Sequence, residues 1–236
     1  MAPSKTLLVI GANRGIGFEL ATRFLAKGYK VHGTYRPETR DDDSVGALKA
    51  AGVETFEVDF SDGESIKVAA QDFGDQPLDF LINCVYRLWD DMPAWEQSAE
   101  DLLHHFRVNT VGPFLASKAF LPALEKANRG VIINVSSDFA SIEDNTGGNA
   151  SYRISKTGVN QLTKTMAVDL LKAGSNVVTL AVHPGYVATK MTGYYGEDNM
   201  ETCMSSLAET IERFGTAVND VLSGSYVKWD GQPMAF

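Results

Sequence analysis

The sequence predicts an α/β protein: a doubly wound parallel sheet of about seven strands with helices on both faces, in a single domain over residues 1–236. Three observations predict it. Short apolar runs alternate with helix-period segments along the whole length. The first run, Thr6-Leu7-Leu8-Val9-Ile10, has no polar alternation, as in a strand buried on both faces. It passes at once into a glycine-rich turn and then into a helical pattern.

That turn is Gly11-Ala12-Asn13-Arg14-Gly15-Ile16-Gly17, and helical periodicity follows through residues 18–26. Strand, glycine-rich turn and helix form the Rossmann-like dinucleotide-binding arrangement. The glycines permit a tight turn and close backbone approach to a pyrophosphate, which the helix N-terminus attracts. The spacing is Gly-x-x-x-Gly-x-Gly. Further strands are expected at residues 30–35, 54–58, 78–83, 130–136, 176–182 and 226–229. Helices are expected at 44–51, 64–73, 98–127, 151–173 and 202–214. In such sheets the site lies beyond the carboxyl ends of the strands. Gly11, Asp59, Asn83, Ser137 and His183-Pro184-Gly185 all sit there, a set that ordinary turn chemistry does not explain.

Composition narrows the function classes. A formal net charge of −9 argues against nucleic acid, whose phosphates need a basic surface. Two cysteines, Cys84 and Cys203, cannot build a disulfide framework, and four scattered histidines show no ligand spacing, so no metal is expected. No apolar run is long enough to span a membrane, and the expected setting is a reducing, cytoplasmic one.

The chemistry centres on Tyr152-Arg153-Ile154-Ser155-Lys156. On a helix, residues four apart share a face. A phenol of pKa about 10 is a poor acid–base catalyst at neutral pH, and a neighbouring ammonium favours the phenolate. A second signal lies in the long helix. Pro113 has no N–H to give the carbonyl of Asn109, and Gly112 eases a local bend, which predicts a kink and a water beside Asn109.

Several motifs occur in the order of the short-chain dehydrogenase/reductase family, which the chain resembles over nearly its whole length. They are the Gly11–Gly17 turn, Asn83, Asn109, Asn134-Val135-Ser136-Ser137, Tyr152 to Lys156, and Pro184-Gly185-Tyr186-Val187-Ala188-Thr189. Residues 224–231, Gly-Ser-Tyr-Val-Lys-Trp-Asp-Gly, further resemble the Sniffer and C-factor-like carbonyl reductase branch. The resemblance implies Tyr152 as the acid/base, Ser137 as a donor to the substrate carbonyl, and Lys156 as holder of the nicotinamide ribose. It implies Asn109 as anchor of a relay water. For the cofactor it implies Gly11, Asn13, Arg14, Gly15, Ile16, Gly17, Asp59, Phe60, Asn83, Pro184, Gly185, Val187 and Thr189. Side chains alternate along an extended segment, so only one of Ser136 and Ser137 should face the pocket.

The second strand ends Gly33-Thr34-Tyr35-Arg36 with no acid before Glu38, so Arg36, with Arg14, predicts NADP(H) rather than NAD(H). The substrate pocket is expected to include Tyr86, Phe139, Tyr186 and Tyr194, with residues 192–199 as a lid. Tyr86 stands in Asn83-Cys84-Val85-Tyr86 where the family commonly has Asn-Asn-Ala-Gly, and is expected to narrow the pocket. The reading is an NADPH-dependent reductase of a ketone, aldehyde or imine, assembled as a homodimer or homotetramer by resemblance. A redox-neutral cyclase or isomerase, or a non-enzymatic NADP-binding regulator, is the alternative.

Overall fold

A computed structural model describes residues 4–85, 92–216 and 223–236. The strands are β1 (Thr6–Ile10), β2 (Lys30–Tyr35), β3 (Glu54–Glu57), β4 (Phe80–Asn83), β5 (Gly130–Val135), β6 (Val177–His183) and β7 (Ser225–Lys228). They pair in parallel in the order β3-β2-β1-β4-β5-β6-β7. The chain runs outward from β1 to β3, then crosses back to lay β4 on the other side of β1. That reversal is where such sheets open a crevice beyond the strand ends.

The unbroken apolar runs follow from the layering. Leu7 and Val9 enter the core on one face, with Leu20 and Phe24 of α1 (Gly15–Ala26). Leu8 and Ile10 enter the core on the other, with Phe120. Every side chain of β1 is thus buried, although successive residues point to opposite faces. α2 (Asp43–Ala50) contributes Leu48 to the first core; α3 (Gly63–Phe73) contributes Ile66 and Phe73 to the second.

The largest departure from expectation is the long helix of residues 98–127. It is three pieces: α4 (Ala99–Phe106), a π-helical turn Arg107–Val111, and α5 (Gly112–Leu124). Pro113 cannot donate to a carbonyl four residues back, and the winding widens just before it. Gly112 N–H donates to the carbonyl of Arg107. A Cβ on Gly112 would stand 2.4 Å from Phe60 Cδ1, so the turn packs against the loop after β3 in a way only glycine allows.

α6 (Ala150–Lys172) and α7 (Met200–Phe214) complete the layers. Their limits, like those of the strands, fall within about two residues of the expected ones, the usual uncertainty of element ends. No described helix is long and apolar enough to cross a membrane.

Candidate active site

The glycine turn is closed by backbone contact. Gly11 has φ +80° and donates its N–H to Thr34 Oγ1 at 3.0 Å. A Cβ on Gly17 would lie 2.1 Å from the carbonyl oxygen of Gly11, so no other residue fits there. Arg14 is the N-cap of α1, and its side chain makes no capping bond. The first turn of that helix therefore faces the crevice with N–H donors that helical bonding does not use. Unused N–H donors at the first turn of a helix, behind a turn that glycine keeps tight, fit a dinucleotide pyrophosphate. Asn13 turns its amide away, to Ser44 Oγ on α2 at 3.0 Å.

At the end of β2, Arg36 Nη1 pairs with Glu38 Oε1 at 2.8 Å, and both side chains are about half exposed. Asp59 Oδ1 accepts the N–H and hydroxyl of Ser61 at 2.8 and 2.7 Å. Phe60 is buried in the second core. Asn83 is also buried, with its Nδ2 donating to Asn134 Oδ1 at 2.8 Å. The side chains of Phe60 and Asn83 are thus both buried.

Beyond β5, the two serines face opposite ways. Ser136 Oγ donates to Asn160 Oδ1 in the interior at 2.6 Å. Ser137 faces a cavity of about 620 Å³. Ile16, Tyr152, Lys156, Pro184, Gly185, Val187 and Thr189 share that lining, so the structure brings the glycine turn, the Tyr-x-x-x-Lys pair and the Pro-Gly segment to one space. Phe139 and Tyr186 line it too. Tyr194 does not: it is 74% exposed, at φ +63°. Residues 192–199 are tied down rather than open, because Asp198 Oδ2 accepts Tyr186 N–H at 2.7 Å and Asp198 N–H returns to Tyr186 O at 3.0 Å. Tyr86 lies outside the described residues.

On α6, Tyr152 is buried with its ring edge-on to Phe139, centroids 6.0 Å apart. Lys156 Nζ lies 5.8 Å from the Tyr152 ring centroid and donates to the carbonyls of Val135 at 2.8 Å and Val85 at 3.4 Å. Burial pushes the Lys156 pKa down to about 8, against a smaller upward pull from Cys84. Burial likewise pushes the Cys84 thiol up to about 12, so it is not a nucleophile at neutral pH. Asn109 is fully buried and reaches the first turn of α6 through a relay. Its Nδ2 donates to Ser155 Oγ at 3.0 Å, and Ser155 Oγ donates to the carbonyl of Tyr152 at 2.7 Å. The π-helical turn thus braces α6 where Tyr152 sits.

Three residues that sequence reasoning did not assign hold this site. Arg153 follows Tyr152 and, as a charged helix residue, would be expected in solvent; it is 6% exposed. Its Nε donates to the carbonyls of Gly147 and Gly148, its Nη2 to Thr146 Oγ1, and its guanidinium lies 4.2 Å from the Phe139 ring centroid. It pins residues 146–148 and Phe139 together. Tyr226 donates its hydroxyl to the carbonyl of Ser137 at 2.5 Å, and His183 Nδ1 accepts the Asp138 N–H at 3.1 Å. The Ser137–Asp138 backbone is clamped from β7 and from the end of β6. Tyr226→Phe is expected to lower kcat several-fold and stability by about 1 kcal/mol, the usual net worth of one hydrogen bond. Cofactor affinity should not change. An unchanged kcat in steady-state assays would show that the clamp does not position Ser137.

Residues 5–200 match the family model described as short chain dehydrogenase. The chain is 29% identical over 222 residues to the 3-oxoacyl-(acyl-carrier-protein) reductase FabG of Staphylococcus aureus, covering 91% of this chain and 87% of that one. Among solved structures it is similar to the NADPH-bound carbonyl reductase from chicken fatty liver, with 28% identity, TM-score 0.88 and 99% of each chain covered. It is equally similar to the carbonyl reductase Sniffer of D. melanogaster, with 28% identity, TM-score 0.88, and 99% of this chain and 100% of that one covered.

Proposed function

The chain belongs to the short-chain dehydrogenase family, and from that premise we propose that it is an NADPH-dependent reductase of a small carbonyl or imine compound. The observation that carries the proposal is the single cavity shared by Ser137, Tyr152, Lys156 and the glycine turn. Gly11, Gly15 and Gly17 would hold the pyrophosphate, Arg14 and Arg36 the 2′-phosphate, and Pro184 to Thr189 the nicotinamide end. The chicken relative, NADPH-bound, supports that choice of dinucleotide.

A bound NADPH supplies the hydride; the chain's residues supply position and protons. The substrate oxygen would accept hydrogen bonds from Ser137 Oγ and the Tyr152 hydroxyl, where charge builds during reduction. Tyr152 would pass its proton to that oxygen. The Lys156 ammonium, held beside the ring, would stabilise the phenolate left behind. Asn109 would keep Tyr152 in place through Ser155.

The test is NADPH oxidation, followed by absorbance, against ketones, aldehydes and cyclic imines. Turnover of none of them would defeat the reading. A pH dependence accompanies it. The folded pKa of Lys156 is below its ordinary value, so the group is charged below about pH 8 and loses charge above it. NADPH affinity is therefore expected to fall as pH rises through about 8 in fluorescence titrations. Lys156→Met should bind more weakly and lose that limb; a wild-type affinity flat from pH 7 to 9 would count against it.

The expected homo-oligomer would form through the helices that carry Asn109 and Tyr152. Leu103, Phe106, Phe114 and Ile154 are exposed on α4, α5 and α6. A monomeric mass by light scattering would exclude this.

A further inference from the structure

The hydroxyl that the proposed reaction needs as a donor is already donating elsewhere. Ser137 Oγ gives its proton to Asp138 Oδ1 at 2.9 Å, and the same oxygen accepts Phe139 N–H at 3.0 Å. The Asp138 side chain is 54% exposed and lines the cavity. Among the described residues its Oδ2 has no hydrogen bond or ion pair.

Neither lysine that lines the cavity pairs with Asp138 among the described residues. His183 Nδ1 is 3.7 Å from Asp138 Oδ1 but accepts the Asp138 N–H, so that nitrogen carries no proton. Burial holds the His183 pKa below its ordinary value, which keeps the ring neutral. Lys156 is occupied by two backbone carbonyls. Lys228 also lines the cavity, with its ammonium 5.3 Å from the Trp229 ring centroid and no ion pair to Asp138 among the described residues. Glu197, a second carboxylate in the lining, has no ion pair among the described residues.

A neutral ketone meets two obstacles here. It must take the Ser137 proton from a carboxylate, and it must develop negative charge beside that carboxylate. A substrate with its own cation removes both: an ammonium group pairs with Asp138, and the Ser137 proton turns to the substrate oxygen. We propose that the substrate is an amino ketone or amino aldehyde whose protonated amine pairs with Asp138. The inference rests on the reductase reading and names its substrate class. The geometry sets the reach. A carbonyl oxygen about 2.8 Å from Ser137 Oγ lies within about 6 Å of the Asp138 carboxylate. That span suits an amine about two or three bonds from the carbonyl carbon. The rings of Phe139, Tyr152 and Tyr186 form the rest of the wall, and aromatic faces also attract ammonium groups. Keto acids are disfavoured by the same carboxylate.

The experiment uses three ketones of matched shape with NADPH at pH 7: 4-(dimethylamino)butan-2-one, 5-methylhexan-2-one and levulinate. The wild type is expected to favour the amine over the neutral ketone by about tenfold or more in kcat/KM, with levulinate poorest; tenfold corresponds to about 1.4 kcal/mol. In Asp138→Asn and Asp138→Ala the ratio of amine to neutral ketone should collapse towards one, and levulinate should gain relative to both. Equal use of the three by the wild type, or an amine preference that survives both substitutions, overturns this proposal and leaves the reductase reading standing. Failure of these and all other carbonyl compounds to oxidise NADPH overturns the reductase reading, and this proposal with it.

Discussion

Replacement of Tyr152 by phenylalanine is expected to lower kcat by at least the ~10²–10⁴ typical of lost general acid catalysis. The substitution keeps the buried ring and its edge contact with Phe139, and removes only the oxygen. Lys156 also lines the cavity, but its ammonium is held by the carbonyls of Val135 and Val85 and is assigned to the phenolate rather than to the substrate oxygen. NADPH binding by fluorescence and the thermal midpoint should stay near wild-type values. A variant with near-full reductase activity would falsify the assignment of Tyr152 as the acid. A large drop in midpoint would instead mean that the lost activity reports unfolding.

The second large effect concerns the dinucleotide. Wild-type kcat/KM is expected to favour NADPH over NADH by about a hundredfold or more, since each charge-assisted contact to a 2′-phosphate contributes roughly 1.5–3 kcal/mol. The ion pair of Arg36 with Glu38 does not oppose this strongly. Both partners are about half exposed, and such pairs contribute ~0–1 kcal/mol. A phosphate dianion can displace Glu38 from Arg36. Arg36→Asp removes one cation and adds an anion at the same point, so the preference should vanish or invert towards NADH. Equal use of both dinucleotides by the wild type, or an unaltered preference in the variant, would defeat the assignment.

The layer architecture was legible because its causes are local. Uninterrupted apolar strands, a glycine turn after the first of them and helical periods between the rest leave few other arrangements. The meeting of Ser137, Tyr152 and Lys156 was legible because they stand in two short motifs, residues 134–137 and 152–156, that the resembled family carries together. Asn109 was half legible. Pro113 announced a break in the ladder but not its form, since a π-helical turn and a simple kink start from the same missing donor. The partners of Tyr226, Arg153 and His183 could not be read, although His183 stood among the strand-end residues expected at the site. Their roles come from contacts across the fold, and a tyrosine in a strand, an arginine on a helix or a histidine at a strand end carries no local sign of its partner. Tyr194 failed for the reverse reason. Its sequence neighbourhood suited a pocket, but the residue adopts a left-handed backbone and stands largely exposed.

The Tyr226 clamp gives the outermost strand an unequal share in activity. β7 is four residues long and pairs with β6 on one side, while its other edge is held by the C-terminal residues alone among the described residues, through Lys228 N–H to Gln232 O at 2.8 Å and Met234 N–H to Tyr226 O at 3.0 Å. Edge elements of this kind open by local fluctuation at a lower free energy than the interior of a sheet. Each opening releases the carbonyl of Ser137, 89 residues away in sequence, and leaves β1 and its glycine turn in the middle of the sheet untouched. Catalytic competence is therefore expected to follow the free energy of fraying at β7, and retention of the dinucleotide that of unfolding the centre. Under mild denaturant the two should separate, with turnover declining while hydrogen exchange still finds β1 and β4 protected.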